Sequence, residues 1–353
     1  MILFSFICFV LWALWSLQRL VTYRVHDFTG KTVLITGACS ELGARLCERL
    51  HAEGANLIAW DPSLPNLERL RKEVLSAGVN GTTGNREGDF ESHAGGKGFP
   101  FFTITMVNFS SQANVLRAAQ EVAGQVDIIL HTAQVFPMQP FYKRAPDSIG
   151  SVLLSNSAAL LLLAKTLCPS MLQRREGGHF VSFVTSPGVS MVEGENPDYA
   201  ASQWATVGAH YSIRAWLGSG RRQQRGTGQV HTTLVNLPVW QEDITLVEKE
   251  AGFLAVPNFP LRSTAAASNE AVASSHYNNT LSADGVARAR KTLNAEVDAA
   301  LYAIARREEH YGGRRSWVMF LRAVALMVLP FPWQRSLEQI WSHIMGPGKL
   351  KNE

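Results

Sequence analysis

The chain has 353 residues, 46% of them hydrophobic, and a net charge of +4. That length holds one large α/β domain with extensions, the apolar share is ample for a core, and so small a positive balance argues against a nucleic-acid binder. The four cysteines, Cys8, Cys39, Cys47 and Cys168, are scattered without ligand spacing, which fits small apolar residues of a reducing compartment and leaves no metal site or disulfide set to expect.

Residues 1–17 carry no charge and are rich in Ile, Leu, Phe, Val and Trp. They are barely long enough to span hydrocarbon, which takes about 20 residues. There is no basic leader or small-residue cleavage site, so residues 1–23 are expected to be a membrane anchor rather than a removable signal, with a buried core helix as the plainer alternative. Arg19, Arg24 and Lys31 follow the apolar run, which leaves the globular part in the cytosol by the positive-inside rule.

Residues 32–36 form a short β-branched run, read as a buried parallel strand. Gly37 follows, then Gly43 and a helical pattern through residue 53, with Leu42, Leu46 and Leu50 on one face. A second apolar run, 55–60, ends in Asp61. This is a β-α-β unit with glycine at its first turn and an acid about 20 residues on. Such a turn suits a pyrophosphate, since glycine permits close backbone approach and the helix N-terminus offers N–H groups and a positive dipole end. A tight strand-to-helix turn with no ligand is the competing reading of the glycines alone.

Further along, residues 66–77 are expected to be an amphipathic helix, and 79–99 a surface insertion without a fold of its own. Strands follow at 101–109, 126–133, 179–185 and 230–236, and helices at 112–123, 148–172, 199–217 and 283–306. The helix at 148–172 carries four consecutive leucines and should pack on the sheet or across a dimer seam. Strands alternating with helices of this length predict a Rossmann-type, doubly wound parallel sheet with helices on both faces. Residues 240–282 lose the alternation and are expected to form a substrate loop region. The stretch 317–333 is apolar but broken by Arg322, Pro330 and Pro332, so 314–353 reads as a membrane-associated segment lying in the interface, with a core helix or dimer contact as the alternative.

The loop Thr36-Gly37-Ala38-x-x-x-Leu42-Gly43, Asn156 on the long helix, the hydroxyls ending the fifth strand and Tyr199-Ala-Ala-Ser-Gln203 come in the order of the short-chain dehydrogenase/reductase family. The resemblance runs from about residue 28 to residue 310. With Trp60-Asp61 and the N-terminal apolar run, it looks most like the membrane-anchored retinol and 17β-hydroxysteroid dehydrogenase branch. It implies a nicotinamide cofactor, with Thr36, Gly37, Ser40, Leu42, Gly43, Asp61, Asn108, Ala133 and Pro238 as contacts. NAD is expected over NADP, because Asp61 would repel a 2′-phosphate. In that family a tyrosine passes the proton, a lysine one helical turn later lowers its pKa and holds the nicotinamide ribose, a serine orients the carbonyl, and an asparagine links the relay to water. Tyr199 and Asn156 match the tyrosine and asparagine; Ser186 has the better spacing for the hydroxyl, with Thr185 its neighbour.

The chain departs from that pattern at several positions. Position 203 should be lysine and is glutamine, Glu41 replaces the middle glycine of the loop, His131-Thr132-Ala133-Gln134 stands for Asn-Asn-Ala-Gly, and Asn108 takes the place of an aspartate. A glutamine can still bond a ribose hydroxyl but brings no charge. A tyrosine phenol has a pKa of ~10, so without a cation about one in a thousand is ionised at pH 7. Proton donation for reduction would survive that loss better than abstraction for oxidation.

Two functions are therefore carried forward. One is an oxidoreductase interconverting hydroxyl and carbonyl groups on a lipophilic substrate of retinoid, steroid or fatty-alcohol type, membrane-anchored at the endoplasmic reticulum or lipid-droplet surface, with membrane lipids and a second copy of the chain as partners. The other is an impaired nucleotide-binding protein acting as a sensor or scaffold. Each residue also has a plainer reading: Tyr199 as an amphipathic helix residue, Asn156 as a helix-to-strand tie, His131 as a satisfied core histidine, and Arg221, Arg222 and Arg225 as a solvated loop face.

Overall fold

The computed structural model describes residues 26–80, 100–137, 141–185, 196–220, 228–237 and 283–312. In chain order these hold β1 (Thr32–Thr36), α1 (Glu41–Ala52), β2 (Asn56–Asp61), α2 (Leu64–Asn80), β3 (Phe102–Met106), α3 (Gln112–Glu121) and β4 (Ile128–His131). A 3-10 turn (Phe141–Lys143) and α4 (Asp147–Gln173) follow. Then come β5 (Gly178–Thr185), α5 (Pro197–Gly220), β6 (Val230–Leu237), α6 (Ala283–Ala305) and β7 (His310–Gly312).

The seven strands form one parallel sheet in the order β3-β2-β1-β4-β5-β6-β7. A sheet covered on both faces needs strands that are apolar on both faces. Val33, Leu34 and Ile35 of β1 are fully buried, and every residue of β5 is buried. Alternate residues enter different cores: Val33, Ile35 and Leu57 join α1, α2 and α6, whereas Leu34, Ile58 and Ile129 join α3, α4 and α5. Helices above and below a parallel sheet of this order make a doubly wound Rossmann-type fold, with the reversal of strand order between β1 and β4.

The sheet prediction holds, and most bounds differ by a few residues. The helix expected at 66–77 runs Leu64–Asn80, so the first residues assigned to the 79–99 insertion are helical. The strand expected at 101–109 is only Phe102–Met106, because Asn108 turns the chain by accepting from Ser110 N–H at 2.9 Å. β7 was not foreseen; three residues carry too little periodicity to signal a strand.

Among the described residues one helix, α4, is long and apolar enough to cross a membrane, yet 56% of its most apolar window is buried within the protein. Leu160 and Leu163 of the leucine run pack with Leu167 in the core shared with Leu34 and Phe180, whereas Leu161 is exposed. The apolar runs 1–23 and 314–353, the loop 240–282, Ser186 and Pro238 lie outside the described residues.

Candidate active site

The turn after β1 is fixed by close packing. Gly37 has φ +67°, and a Cβ there would come within 2.7 Å of Ala133 Cα, at the end of β4. A Cβ on Gly43 would sit 2.3 Å from Gly37 O, so α1 can approach the turn only with glycine at that position. Ser40 caps α1: its hydroxyl donates to Gly37 O at 2.7 Å and accepts from Gly43 N–H at 3.0 Å. Leu42 is buried beneath the turn. Thr36 is a clamp between β1 and β4 rather than an open ligand, since its Oγ1 lies 2.9 Å from His131 Nδ1 and accepts from Ala133 N–H at 3.2 Å. Thr132 Oγ1 donates to Thr36 O at 2.6 Å.

Glu41 does not aim a bare charge along the helix axis. Its Oε1 accepts from Arg45 Nε at 3.2 Å and Nη2 at 3.1 Å, one turn along α1. An acid in a first turn also suits the helix dipole. The carboxylate that would repel a pyrophosphate is thus tied back within its own helix.

Asp61 ends β2 with 1% of its surface exposed. Its Oδ2 accepts from Cys39 N–H and its Oδ1 from Ser63 N–H, both at 3.1 Å. Burial raises its pKa, opposed by those two N–H bonds. A carboxylate offers about four acceptor sites, so two bonds leave capacity for ribose hydroxyls. Asn108 is exposed in the turn after β3.

The second cluster lies at the C-terminal ends of β4 and β5. Tyr199, in the first turn of α5 and 3% exposed, places its hydroxyl 2.8 Å from Thr185 Oγ1. The same phenol donates to Gln134 Oε1 in a longer bond of 3.4 Å, and Phe136 meets its ring edge-on at 4.8 Å. Gln134 is held in turn by donating from Nε2 to Phe183 O at 2.8 Å. Thr185, ranked second by spacing, is therefore the described hydroxyl that meets Tyr199.

Asn156 sits inside a π-helical turn of α4, Leu154–Ala158. Such turns interrupt the i→i−4 ladder and are frequent at functional sites. Its amide pairs with the backbone of Val135, accepting from N–H at 2.6 Å and donating to C=O at 3.0 Å, as a further strand residue would. Nδ2 also donates to Ser202 Oγ at 2.9 Å, and Thr206 Oγ1 donates to Asn156 O at 2.9 Å. The asparagine ties α4, the β4 loop and α5 together.

Gln203 is fully buried one turn beyond Tyr199. Its Oε1 accepts from Thr185 N–H at 3.0 Å, and its Nε2 has no partner among the described residues. An unpaired buried amide N–H costs about 1–3 kcal/mol, a cost that a water or an incoming hydroxyl would relieve.

The sequence reading missed one strong element. Arg144, after the 3-10 turn, grips Asp198 beside Tyr199 through two bonds of 2.8 and 2.6 Å. The side chains are 6% and 2% exposed, and the pair anchors the start of α5. Nothing local announces this partnership across 54 positions of sequence. His131 is buried, and the plainer reading of a satisfied core histidine fits only its Nδ1, beside Thr36, since its Nε2 is without a partner among the described residues; burial pushes it down to about 4.

Residues 31–219 match the short chain dehydrogenase family, over more than half of the chain. The protein belongs to that family. It is 26% identical over 211 residues to a protein of Bos taurus named dehydrogenase/reductase SDR family member 7B, covering 59% of each chain. It is 28% identical over 201 residues to short-chain dehydrogenase/reductase family 16C member 6 of the same organism, covering 55% of this chain and 56% of that one. The chain thus spans less than two thirds of the length of these relatives. The fold is shared with a short-chain dehydrogenase from Sphingobium yanoikuyae solved in complex with NADPH, at a TM-score of 0.53 and 16% identity, over 85% of this chain and 97% of that one.

The residues present fit a dinucleotide at two of its ends. The capped N-terminus of α1 and Asp61 would hold the pyrophosphate and the adenosine ribose, and the unpaired Nε2 of Gln203 would take a hydroxyl beside Tyr199.

Proposed function

We propose that this protein is a nicotinamide-dependent oxidoreductase interconverting hydroxyl and carbonyl groups on a lipophilic substrate, with NAD as the preferred dinucleotide and NADP as an alternative. The observation that carries the reading is the buried Tyr199–Thr185 hydroxyl pair of 2.8 Å at the C-terminal edge of the sheet. Ligands of doubly wound folds bind along that edge.

When bound, the nicotinamide supplies or accepts the hydride. The chain's own residues do the rest. Thr185 Oγ1 orients the substrate oxygen and Tyr199 Oη gives or takes its proton. Asn156 and Ser202 hold the loop beneath Tyr199, and Phe136 packs against its ring. Asp61, the carboxylate at the adenosine ribose, supports the NAD preference by repelling a 2′-phosphate. The apolar runs 1–23 and 314–353 support delivery of substrate from a bilayer, with the domain on the cytosolic side of the endoplasmic reticulum or a lipid droplet.

The test is a nucleotide titration of the purified protein, followed by turnover on retinoid, steroid and fatty alcohols and their carbonyl forms. Tyr199→Phe should leave nucleotide binding intact and lower turnover by about 10²–10⁴-fold, the usual weight of a general acid–base group. One feature favours a second reading. Neutral Gln203 in place of lysine suits a nucleotide-binding sensor, and tight nucleotide binding without turnover on any of these substrates would select it.

A further inference from the structure

The turn after β3 and the π-turn of α4 meet through a pair of hydroxyls that the hydride chemistry does not use. We propose that Ser110 and Ser155 are positioning residues, a link through which the adenine end of a bound dinucleotide steadies the π-turn that carries Asn156. The link rests on the nucleotide-binding part of the oxidoreductase reading and deepens it.

Strand register places the first end of that link. Asp61 ends β2 and pairs with Met106 of β3, and Val107 N–H donates to Asp61 O at 3.0 Å. Ligands of this fold lie across the C-terminal edge of the sheet, so a base carried by a ribose at Asp61 would rest against the turn at residues 107–111. In that turn Asn108 is exposed, Phe109 is rooted in the core and Ser110 is half-buried. Asn108 Oδ1 accepts from Ser110 N–H at 2.9 Å, and Asn108 O accepts from Ser111 N–H at 3.1 Å. With Oδ1 so held, the amide nitrogen of Asn108 is the group turned toward a base. A ligand that fixes Asn108 thereby fixes the backbone of Ser110.

Ser110 Oγ lies 3.0 Å from Ser155 Oγ, across 45 positions of sequence. Ser155 is 1% exposed and sits in the π-turn Leu154–Ala158, directly before Asn156. A serine inside a helix ordinarily bonds back to a carbonyl of the preceding turn. Ser151, Ser157 and Ser170 of α4 do so, donating to Asp147 O, Leu153 O and Leu167 O. Ser155 instead reaches out of its helix to another element.

The element it reaches from is one that a remote contact can bias. A π-turn holds one residue more than an α-turn, so its backbone ladder is already interrupted and a second register lies close by. Coupling between sites is carried by packed side chains and hydrogen bonds acting on an element with two arrangements. What this turn carries is Asn156, whose side chain ties Val135 and Ser202 to α4.

The experiment uses the full chain with adenosine 5′-monophosphate (AMP) as probe, and follows backbone hydrogen exchange of residues 154–158 by mass spectrometry. AMP should slow exchange there by about two- to tenfold, the weight of one hydrogen bond. Ribose 5-phosphate, which has no base, should not. Ser110→Ala and Ser155→Ala should each abolish the slowing and the double variant should do no more, whereas Ser110→Thr, which keeps the hydroxyl, should retain it. AMP affinity should stay within about twofold throughout, because the open turn is a minor state of the parent. In turnover, Ser110→Ala should lower kcat by about two- to tenfold with the whole dinucleotide. With reduced nicotinamide mononucleotide, which lacks the adenine, parent and variant should be alike. Slowing that persists in both alanine variants, equal slowing by ribose 5-phosphate, or none in a parent that binds AMP overturns the link and leaves the oxidoreductase reading standing. A parent that binds neither AMP nor NAD overturns the nucleotide site and the link together. Slowing that is lost in the variants, without turnover on any alcohol or carbonyl, supports the link and overturns the enzyme reading alone.

Discussion

Glu41 and Gln203 each stand where the family pattern has a different residue, yet they lie in differently built halves of the sheet. Glu41 opens α1, and its compensation is local: Arg45, one turn along, ties down its carboxylate and reaches Glu48 at 2.8 Å as well. Gln203 lies in a buried seam where β5, α4 and α5 meet. Its bond runs to Thr185 on another element, and the neighbouring ties of Asn156, Ser202 and Thr206 cross between elements too. A substitution on one helix face can be absorbed within a turn. One in a seam is accommodated only by a network, so the half that holds Tyr199 should respond to single changes more sharply than the half that holds the glycine turn.

The largest expected effect follows from the ion pair that seats Tyr199. Arg144 and Asp198 are almost wholly withdrawn from water. Removing one partner strands a buried charge, which typically costs 3–5 kcal/mol, whereas replacing both by apolar groups of similar volume is often neutral. Asp198→Ala should therefore lower unfolding stability by about 3–5 kcal/mol in denaturant titration, and Arg144→Met combined with Asp198→Leu should recover much of it. A loss under about 1 kcal/mol would show that the seam does not depend on this pair.

The two halves also differ in how far the sequence announces them. β1, the glycine turn, α1 and Asp61 are legible because their constraints are local: a backbone contact that admits no Cβ at Gly37, a cap at Ser40, an acid ending the next strand. The sheet order follows from the alternation of elements. Tyr199, Thr185 and Asn156 could be named only through their order along the chain. What stayed hidden is the partnering. Gln134 facing a phenol 65 positions away and Arg144 facing Asp198 are products of the fold, and a single sequence holds no trace of them. The pairing of Glu41 with Arg45 is local by contrast, and its i,i+4 acid–base spacing is a signal the sequence does hold.

An intermediate effect belongs to the buried histidines. His131 joins β1 to β4 and His210 joins α5 to β5. Both have folded pKa values lowered by burial from 6.5 to about 4. The unfolded chain therefore binds protons that the folded chain refuses, and stability rises with pH across that window. Their contribution is present above about pH 6.5 and is lost as the pH falls toward about 4, at roughly 1 kcal/mol per pH unit for each. Thermal or denaturant unfolding between pH 7 and 4.5 should show this slope. His210→Gln, which can keep a bond to Ser182, should flatten it by about a third if it contributes alike with His131 and His179, since burial also holds His179 well below its ordinary value. An unchanged slope would remove His210 from the acid sensitivity and leave it to the other buried histidines and the carboxylates.

The smallest expected effect tests the nucleotide half. Arg45→Ala removes a partner that ties Glu41 back along α1 and leaves more of its negative charge uncompensated at the helix N-terminus, where a dinucleotide's pyrophosphate would be held. The pair is partly exposed, at 27% and 11% of the two side chains, so its own worth is modest. An i,i+4 helix pair contributes about 0.3–0.5 kcal/mol, and unfolding should shift by no more than that order. Nucleotide affinity should fall by a similar free energy, about twofold, and the fall should shrink in high salt because exposed charges are screened. Glu41→Gln in the Arg45→Ala background should restore affinity, since the uncharged amide no longer repels the ligand. Restoration without a matching change in stability would separate repulsion of the nucleotide from loosening of the helix. If Arg45→Ala weakens binding equally in low and high salt, and Glu41→Gln does not restore it, Arg45 acts on the nucleotide by some route other than its hold on Glu41. The contrast with Gln203 would then lose its clearest case, because the change in α1 would no longer be absorbed within one turn.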